Sequence, residues 1–375
     1  MVNTSQKGVN DMKPQRAIQS GEAHYYKKIG AEKGRIAQWE DSYRTKGIKG
    51  AFEWWYFDSH LQDDSNLVIT FFAGNGKMGG PRIDVDYTLT DGSLISERIT
   101  VSEDDFQAST ESCDVRIGDC TFIGDLHTYN IYLKNENLEV NVQLVGNVPA
   151  WRPETGYIFF GNKDEHYFAW LPAIPEGTVN ATITNKGKTS HLSGTGYHDH
   201  NWGNSMIMMT KMVNNWYWGR AKVGDYQVIS SYITAGKKYD YKEFPIFMLA
   251  KNGQIIADDA EHFLRFSATD SYIDKDTKKP VYNCLIYDYD DGKQHYRITY
   301  QRKSDLTNKG KMGEITGMKR LLMRMIGLDS AYIRFSGEAT VDMFEGDTVV
   351  ESVSAPAIWE LMCVGKTPAE KDIRK

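Results

Sequence analysis

The sequence predicts an all-β protein built from antiparallel meanders that roll into barrels or sandwiches. Three observations predict it. Apolar residues recur with period two from residue 51 onwards. Hairpin signals follow one another at short, even spacing. The 375 residues exceed most single cores and suit two domains of ordinary size.

The elements follow in order. Residues 1–50 are polar and weakly periodic, and read as an N-terminal arm or packed coil. "LVITFFA" is a strand. "RIDVDYTLTDG" alternates Ile83, Val85, Tyr87 and Leu89 with Asp84, Asp86, Thr88 and Thr90, as a strand with one wet face does. It ends at Asp91-Gly92, a hairpin signal. Further turns are expected at Asn135-Glu136-Asn137, Asn185-Lys186-Gly187, Gly224-Asp225, Asn252-Gly253 and Asp291-Gly292. "WLPAIPEG", with Pro172 and Pro175, reads as a long loop or crossover. Over 315–328 the period becomes helical. Met318, Leu321, Leu322, Met325 and Ile326 share one face, which predicts one amphipathic, basic helix that plugs or flanks a barrel or, on the sharper reading, forms a lid or touches a membrane surface.

Nine Trp and twenty-two Tyr are the outlier in the composition. Such rings build large apolar surfaces with polar tips and suit a pocket for a greasy ligand. A net charge of −6 gives no basis for nucleic-acid binding. Cys113, Cys120, Cys284 and Cys363 show neither zinc spacing nor a C-x-x-C pair, and a Cys113–Cys120 disulfide competes with free thiols. The first residues lack an apolar signal-peptide core, and no stretch is long and apolar enough for a membrane-spanning helix. The expected location is the cytoplasm, with at most peripheral membrane contact through the basic helix.

Three motifs carry chemistry. In "FEWWYFD", Glu53, Trp55 and Phe57 face one way, and Trp54, Tyr56 and Asp58 the other. A strand with aromatics on both faces is covered on both sides, and its carboxyls sit beside rings. Such burial raises a carboxyl pKa unless donors compensate. In "GTGYHDHNWGN", Tyr197, Asp199 and Asn201 share one face, and His198, His200 and Trp202 the other. The first face suits a general acid aimed by a phenol. The second offers His-x-His, but two ligands need a third and the other histidines are scattered, so no metal is assigned. A polar corner between two domains is the bland reading of the same knot. In "NNWYWGRA", Trp216, Trp218 and Arg220 share a face. The arginine either stacks on the indoles or pairs with a carboxylate such as Asp199 or Glu53, and a core strand with a structural arginine is the bland reading. No P-loop, dinucleotide fingerprint, G-x-S-x-G or H-E-x-x-H is present.

"EWWYFD" and "GTGYHDHNWG", with "HYFAWLPAIPEGTVNATI" between them and "WYWGRAKVGDYQVI" after, resemble the signatures of the carotenoid 1,2-hydratase (hydroxyneurosporene synthase) and AttH-like group. Related fungal lipocalin-like cyclases, including Diels-Alderases, are similar too. The resemblance implies two consecutive lipocalin-like (calycin) β-barrels with a hydrophobic cavity, here 51–205 and 206–375 after the 1–50 arm. It also implies catalysis without a cofactor, and functional importance for Tyr197, Asp199 and Trp170. The hydratases carry a histidine close before that tryptophan. Here Phe168 and Ala169 stand near it, with His166 out of register.

The residues and the resemblance together lead to an acid-assisted hydratase, cyclase or isomerase of a hydrophobic isoprenoid or polyketide-type substrate. Asp199, Tyr197 and Glu53 are the candidate catalytic residues. Trp55, Trp170, Trp202, Trp218, His198, Asn201 and Arg220 are the candidate substrate-binding residues. The expected arrangement turns Tyr197 and Asp199 into a barrel cavity and leaves His198, His200 and Trp202 to support the domain junction. A carrier of a lipid or pigment, without turnover, is the alternative. The two readings differ in whether Asp199 needs its proton.

Overall fold

A computed structural model describes residues 13–74, 79–260, 262–309 and 328–366. Its strands form two curled antiparallel sheets in a lipocalin-like arrangement. The first has thirteen strands and ends with the strand Lys188–Gly203. The second has nine and begins at Val213–Val223. Each hydrogen-bonded path is open among the described residues: Leu94–Thr100 and Phe106–Ala108 are the edges of the first, Gln254–Ala260 and Leu264–Ile273 those of the second.

The period-two pattern explains the layers. Inside the first sheet lie Trp55, Phe57, Phe71, Phe122 and Tyr129, all fully buried. Inside the second lie Tyr217, Tyr287, Tyr300, Phe335 and Trp359. A third apolar cluster joins the sheets face to face, with Phe52, Trp151, Trp170 and Tyr197 from one and Ile229, Phe244, Ile246 and Met248 from the other. Each such side chain contributes about 1.5–3 kcal/mol of burial. The two sheets therefore meet across a shared apolar cluster with half-buried aromatic rings at its margin.

The turns form where glycine and asparagine call for them. Lys186 and Gly187 take φ of 48° and 80°, and Asn252 and Gly253 take 51° and 79°, the left-handed pair of a type I′ hairpin. "WLPAIPEG" is not a loop. It belongs to the strand His166–Asn185, whose pairing slips between Pro172 and Ile174 and again before Gly177. Proline lacks a ladder N–H, and the bulges absorb the break. A second difference is a short helix, Met206–Met212, in the stretch between the sheets, capped by the Ser205 hydroxyl. Cys113 and Cys120 are buried free thiols. The helix expected over 315–328 lies outside the described residues, except that Leu328 opens the strand Leu328–Glu345. No helix among the described residues is long and apolar enough to cross a membrane.

Residues 13–50 pack into the first sheet. Ala17–Gln19 pairs with Tyr157–Phe160, and a 3-10 turn, Gln38–Asp41, sends Asp41 into the interior.

Candidate functional site

The strand Lys188–Gly203 runs between Phe52–Leu61 and His166–Asn185, so the three motif segments lie side by side. Asp199 stands opposite Tyr56 on one neighbour and Pro172 on the other. Glycines allow the strands this close. A Cβ on Gly194 would lie 2.1 Å from the His60 carbonyl oxygen, and one on Gly203 would lie 2.4 Å from the Phe52 ring.

One face of this strand looks towards the second sheet. There the Asp199 carboxyl accepts three hydrogen bonds, from Trp170 Nε1 and Tyr197 Oη to Oδ2 and from Asn201 Nδ2 to Oδ1, each 2.8 Å. Asp199 is 6% exposed. Burial drives its pKa up, the Trp170 and Tyr197 donors pull it down, and the balance stands at about 6. Burial and then the Asp199 charge push the Tyr197 phenol well above its ordinary value, so it remains a donor. Trp170 is fixed edge-on to Trp151, whose indole N–H donates to Asp258 on the second sheet. Beside them Arg220 pairs with Asp58, which also accepts from Tyr56. The guanidinium lies 5.5 Å from the Tyr197 ring centre, and Trp218 packs against the same ring.

The opposite face points into the first sheet. His200 bridges Glu53 at 2.8 Å and Asp41 at 3.3 Å, and His198 meets Asp41 at 3.2 Å. Glu53 also accepts both backbone N–H groups of Arg44 and Thr45 and the Thr45 hydroxyl. Burial works against the Asp41 carboxylate, but His198 and His200 outweigh it and hold its pKa well below the usual range. Trp55 stacks on His200 and donates to the Asp41 carbonyl, and Trp202 donates to Tyr157.

The expected orientation is therefore reversed. His198, His200 and Trp202 fill the interior of the first sheet, and Tyr197 and Asp199 face the junction between sheets. Register is the reason: one residue of slip exchanges the faces, and both faces are covered, so periodicity alone does not say which is which. Asp199, Tyr197, Trp170, Asn201, Trp218 and Arg220 come together. Glu53, Trp55, His198 and Trp202 lie on the other side of the strand. Glu53 thus shares no pocket with Asp199, and Arg220 takes Asp58 and neither Asp199 nor Glu53.

Asp41, Cys113 and His198 bring atoms of metal-ligand type within 4.8 Å of one another. Oδ2 of Asp41 already accepts from Tyr129 at 2.5 Å and meets His198, so hydrogen bonding accounts for that cluster. A cavity of about 410 Å³ opens at one end of the second sheet, lined by Tyr217, Tyr232, Phe266 and Tyr282; none of its lining residues belongs to the Asp199 group. Sequence reading gave no signal for Asp41, a polar residue in an aperiodic segment. Asp58 was legible from its place beside rings in "FEWWYFD", and its partner was not.

Residues 151–279 match the Diels-Alderase-like family model. The chain is similar to the quinolone epoxide rearrangement protein penF of Penicillium thymicola, 26% identical over 243 residues, 56% of this chain and 62% of that protein. It is also similar to a hydroxyneurosporene dehydrogenase of Chlorobaculum tepidum, 24% identical over 207 residues, 46% of this chain and 53% of that one. The alignments thus span less than two thirds of either relative. Among solved structures, CghA matches with a TM-score of 0.60 at 14% identity, covering 85% of this chain and 90% of CghA. An AttH-like protein of Nitrosomonas europaea matches at 0.55 and 14%, covering 90% and 99%. Kievitone hydratase of Nectria haematococca matches at 0.52 and 12%, covering 89% and 94%. The chain is thus similar to Diels-Alderase-like and AttH-like proteins and has a two-sheet, lipocalin-like fold.

Proposed function

We propose that this protein is a cofactor-independent acid catalyst that rearranges, cyclises or hydrates a hydrophobic substrate held between its two sheets. The observation that carries the reading is the Asp199 carboxyl: buried, held by three donors, and poised at about 6. Burial raises its pKa to about 6, so the carboxyl is largely protonated in mildly acidic solution and a minor fraction still holds its proton at neutral pH. After the proton leaves, the same three donors hold the carboxylate. Asp199 therefore gives its proton to an alkene carbon or an epoxide oxygen and recovers it when the product loses one or when water adds.

The cation formed on the substrate needs stabilisation without a nucleophile. Trp54, Trp216 and Trp218 are half-buried on the facing walls, and a desolvated indole face contributes about 2 kcal/mol to a cation. Water capture, ring closure or migration then decides the product. The likeness to a quinolone epoxide rearrangement protein supports a reaction that begins with protonation.

The experiment incubates the protein and Asp199→Asn with terminal epoxides, conjugated polyenes and prenylated aromatics, and analyses the extracts by mass spectrometry. New isobaric or water-added products with the wild type alone support the acid. Equal retention of unchanged compounds by both proteins supports the carrier and sinks the proposal.

A further inference from the structure

Two hydrogen-bond donors on the face of the second sheet that carries Arg220 have no acceptor among the described residues. Trp218, Glu360 and Arg334 stand in one cross-strand row over three neighbouring strands, Val213–Val223, Thr348–Gly365 and Leu328–Glu345. Their side chains share the face that carries Arg220, turned towards the first sheet. The Trp218 indole nitrogen is buried without a hydrogen-bond partner among the described residues. Arg334 is half-buried, and the charges of Tyr332, Tyr56, Asp58 and Glu360 act on it. Among the described residues it makes no hydrogen bond or ion pair.

The nearby carboxylates explain why. Asp58 is engaged by Arg220 and Tyr56, and Glu360 accepts from the Tyr332 hydroxyl at 2.7 Å. A guanidinium and an indole N–H left open in a largely desolvated layer are costly unless something else satisfies them. A pure hydrocarbon substrate would leave both open. An anion would meet Glu360 in the same row. A neutral oxygen acceptor fits both constraints.

We propose that Arg334 and Trp218 bind a conjugated carbonyl oxygen of the substrate, on the wall opposite Asp199. The substrate class is then a planar conjugated ketone, enone or lactam, and a plain polyene or isoprenoid hydrocarbon is excluded. The donors polarise the carbonyl towards an oxyanion while Asp199 supplies the proton elsewhere on the molecule. This inference rests on the same interface as the proposed catalyst, but it does not require Asp199 to act as an acid.

The test uses two probes of one shape, 9-fluorenone and its hydrocarbon isostere fluorene. Their affinities are measured by isothermal titration, and the carbonyl stretch of bound fluorenone by infrared spectroscopy. The wild type should prefer the ketone by about tenfold or more, the size of one charged hydrogen bond, with the stretch moved to lower frequency. Arg334→Met should abolish the preference and the shift, and Trp218→Phe should weaken the preference severalfold. Asp199→Asn should keep both, which separates this site from the acid. Equal affinity for the two probes overturns the proposal. So does a preference that survives in Arg334→Met, or one lost in Asp199→Asn alone, which would put the oxygen on the acid.

Discussion

The indole N–H of Trp170 donates to Oδ2 of Asp199 at 2.8 Å across adjacent strands. The bond holds the carboxyl in one orientation and offsets part of the burial that would otherwise raise its pKa further. Trp170→Phe removes that donor and leaves the ring. The Asp199 pKa should rise above its present value of about 6, and the alkaline limb of the pH–rate profile should move up with it. Stability should fall by about 1–3 kcal/mol, the contribution of one hydrogen bond to a charged group, while Tyr197 goes on donating to the same oxygen. A profile that stays in place would separate Trp170 from the acid.

Asp199 itself should cost stability at neutral pH. Its folded pKa is raised from 3.8 to about 6, so the folded state binds the proton more tightly than the unfolded chain does. The stability linked to that proton is complete below about pH 4 and is lost as pH rises through about 6. The loss is on the order of 3 kcal/mol at pH 7. Asp199→Asn keeps the shape and removes the charge. It should be more stable than the wild type at pH 7, with little gain at pH 4. Urea titrations at the two pH values measure this, and a variant weaker at both would show that the carboxylate is structurally required.

Asp41 has the opposite sign. His198 and His200 hold its pKa below the ordinary range against the pull of burial. Its contribution is present above the unfolded value of about 4 and is lost as pH falls below it. Asp41→Asn breaks a fully buried charge network and should cost about 3–5 kcal/mol near neutrality, with a flatter response to acid below pH 4. Thermal melts across that range test it.

Arg334 makes no hydrogen bond or ion pair among the described residues. Burial works against its charge, but the charges of Tyr332, Tyr56, Asp58 and Glu360 outweigh that burial and raise its pKa. Arg334→Met should therefore lower the melting temperature only slightly, by about a few degrees. A marked fall would mean that the arginine holds the sheets together.

The architecture was legible because β-strands announce themselves twice, by period and by turn. The type I′ turns at Lys186-Gly187 and Asn252-Gly253 fell where their φ-positive residues stood. The grouping of Tyr197, Asp199 and Asn201 on one face followed from alternation alone. The direction of that face did not, because both sides of the strand are covered and aromatic residues fill each. Asp41 was invisible for a different reason. Its role depends on a contact with His198, 157 residues away, and no local pattern records such a contact. Pro172 misled because proline breaks a ladder wherever it stands, and only the neighbouring strands show that a bulge absorbs the break.

The central claim is that the Asp199 pKa is raised to about 6, so that a fraction of the carboxyl still holds a proton at neutral pH. A carbon-13 NMR titration of protein labelled at the aspartate side-chain carboxyl carbon, with Asp199→Asn to assign the resonance, measures this without a substrate. The account predicts a midpoint near 6 for that one carboxyl, matched by a shift in the Trp170 indole N–H signal over the same range. A midpoint at or below the ordinary aspartate value of about 4 would contradict it, since the group would then hold no proton to give at neutral pH.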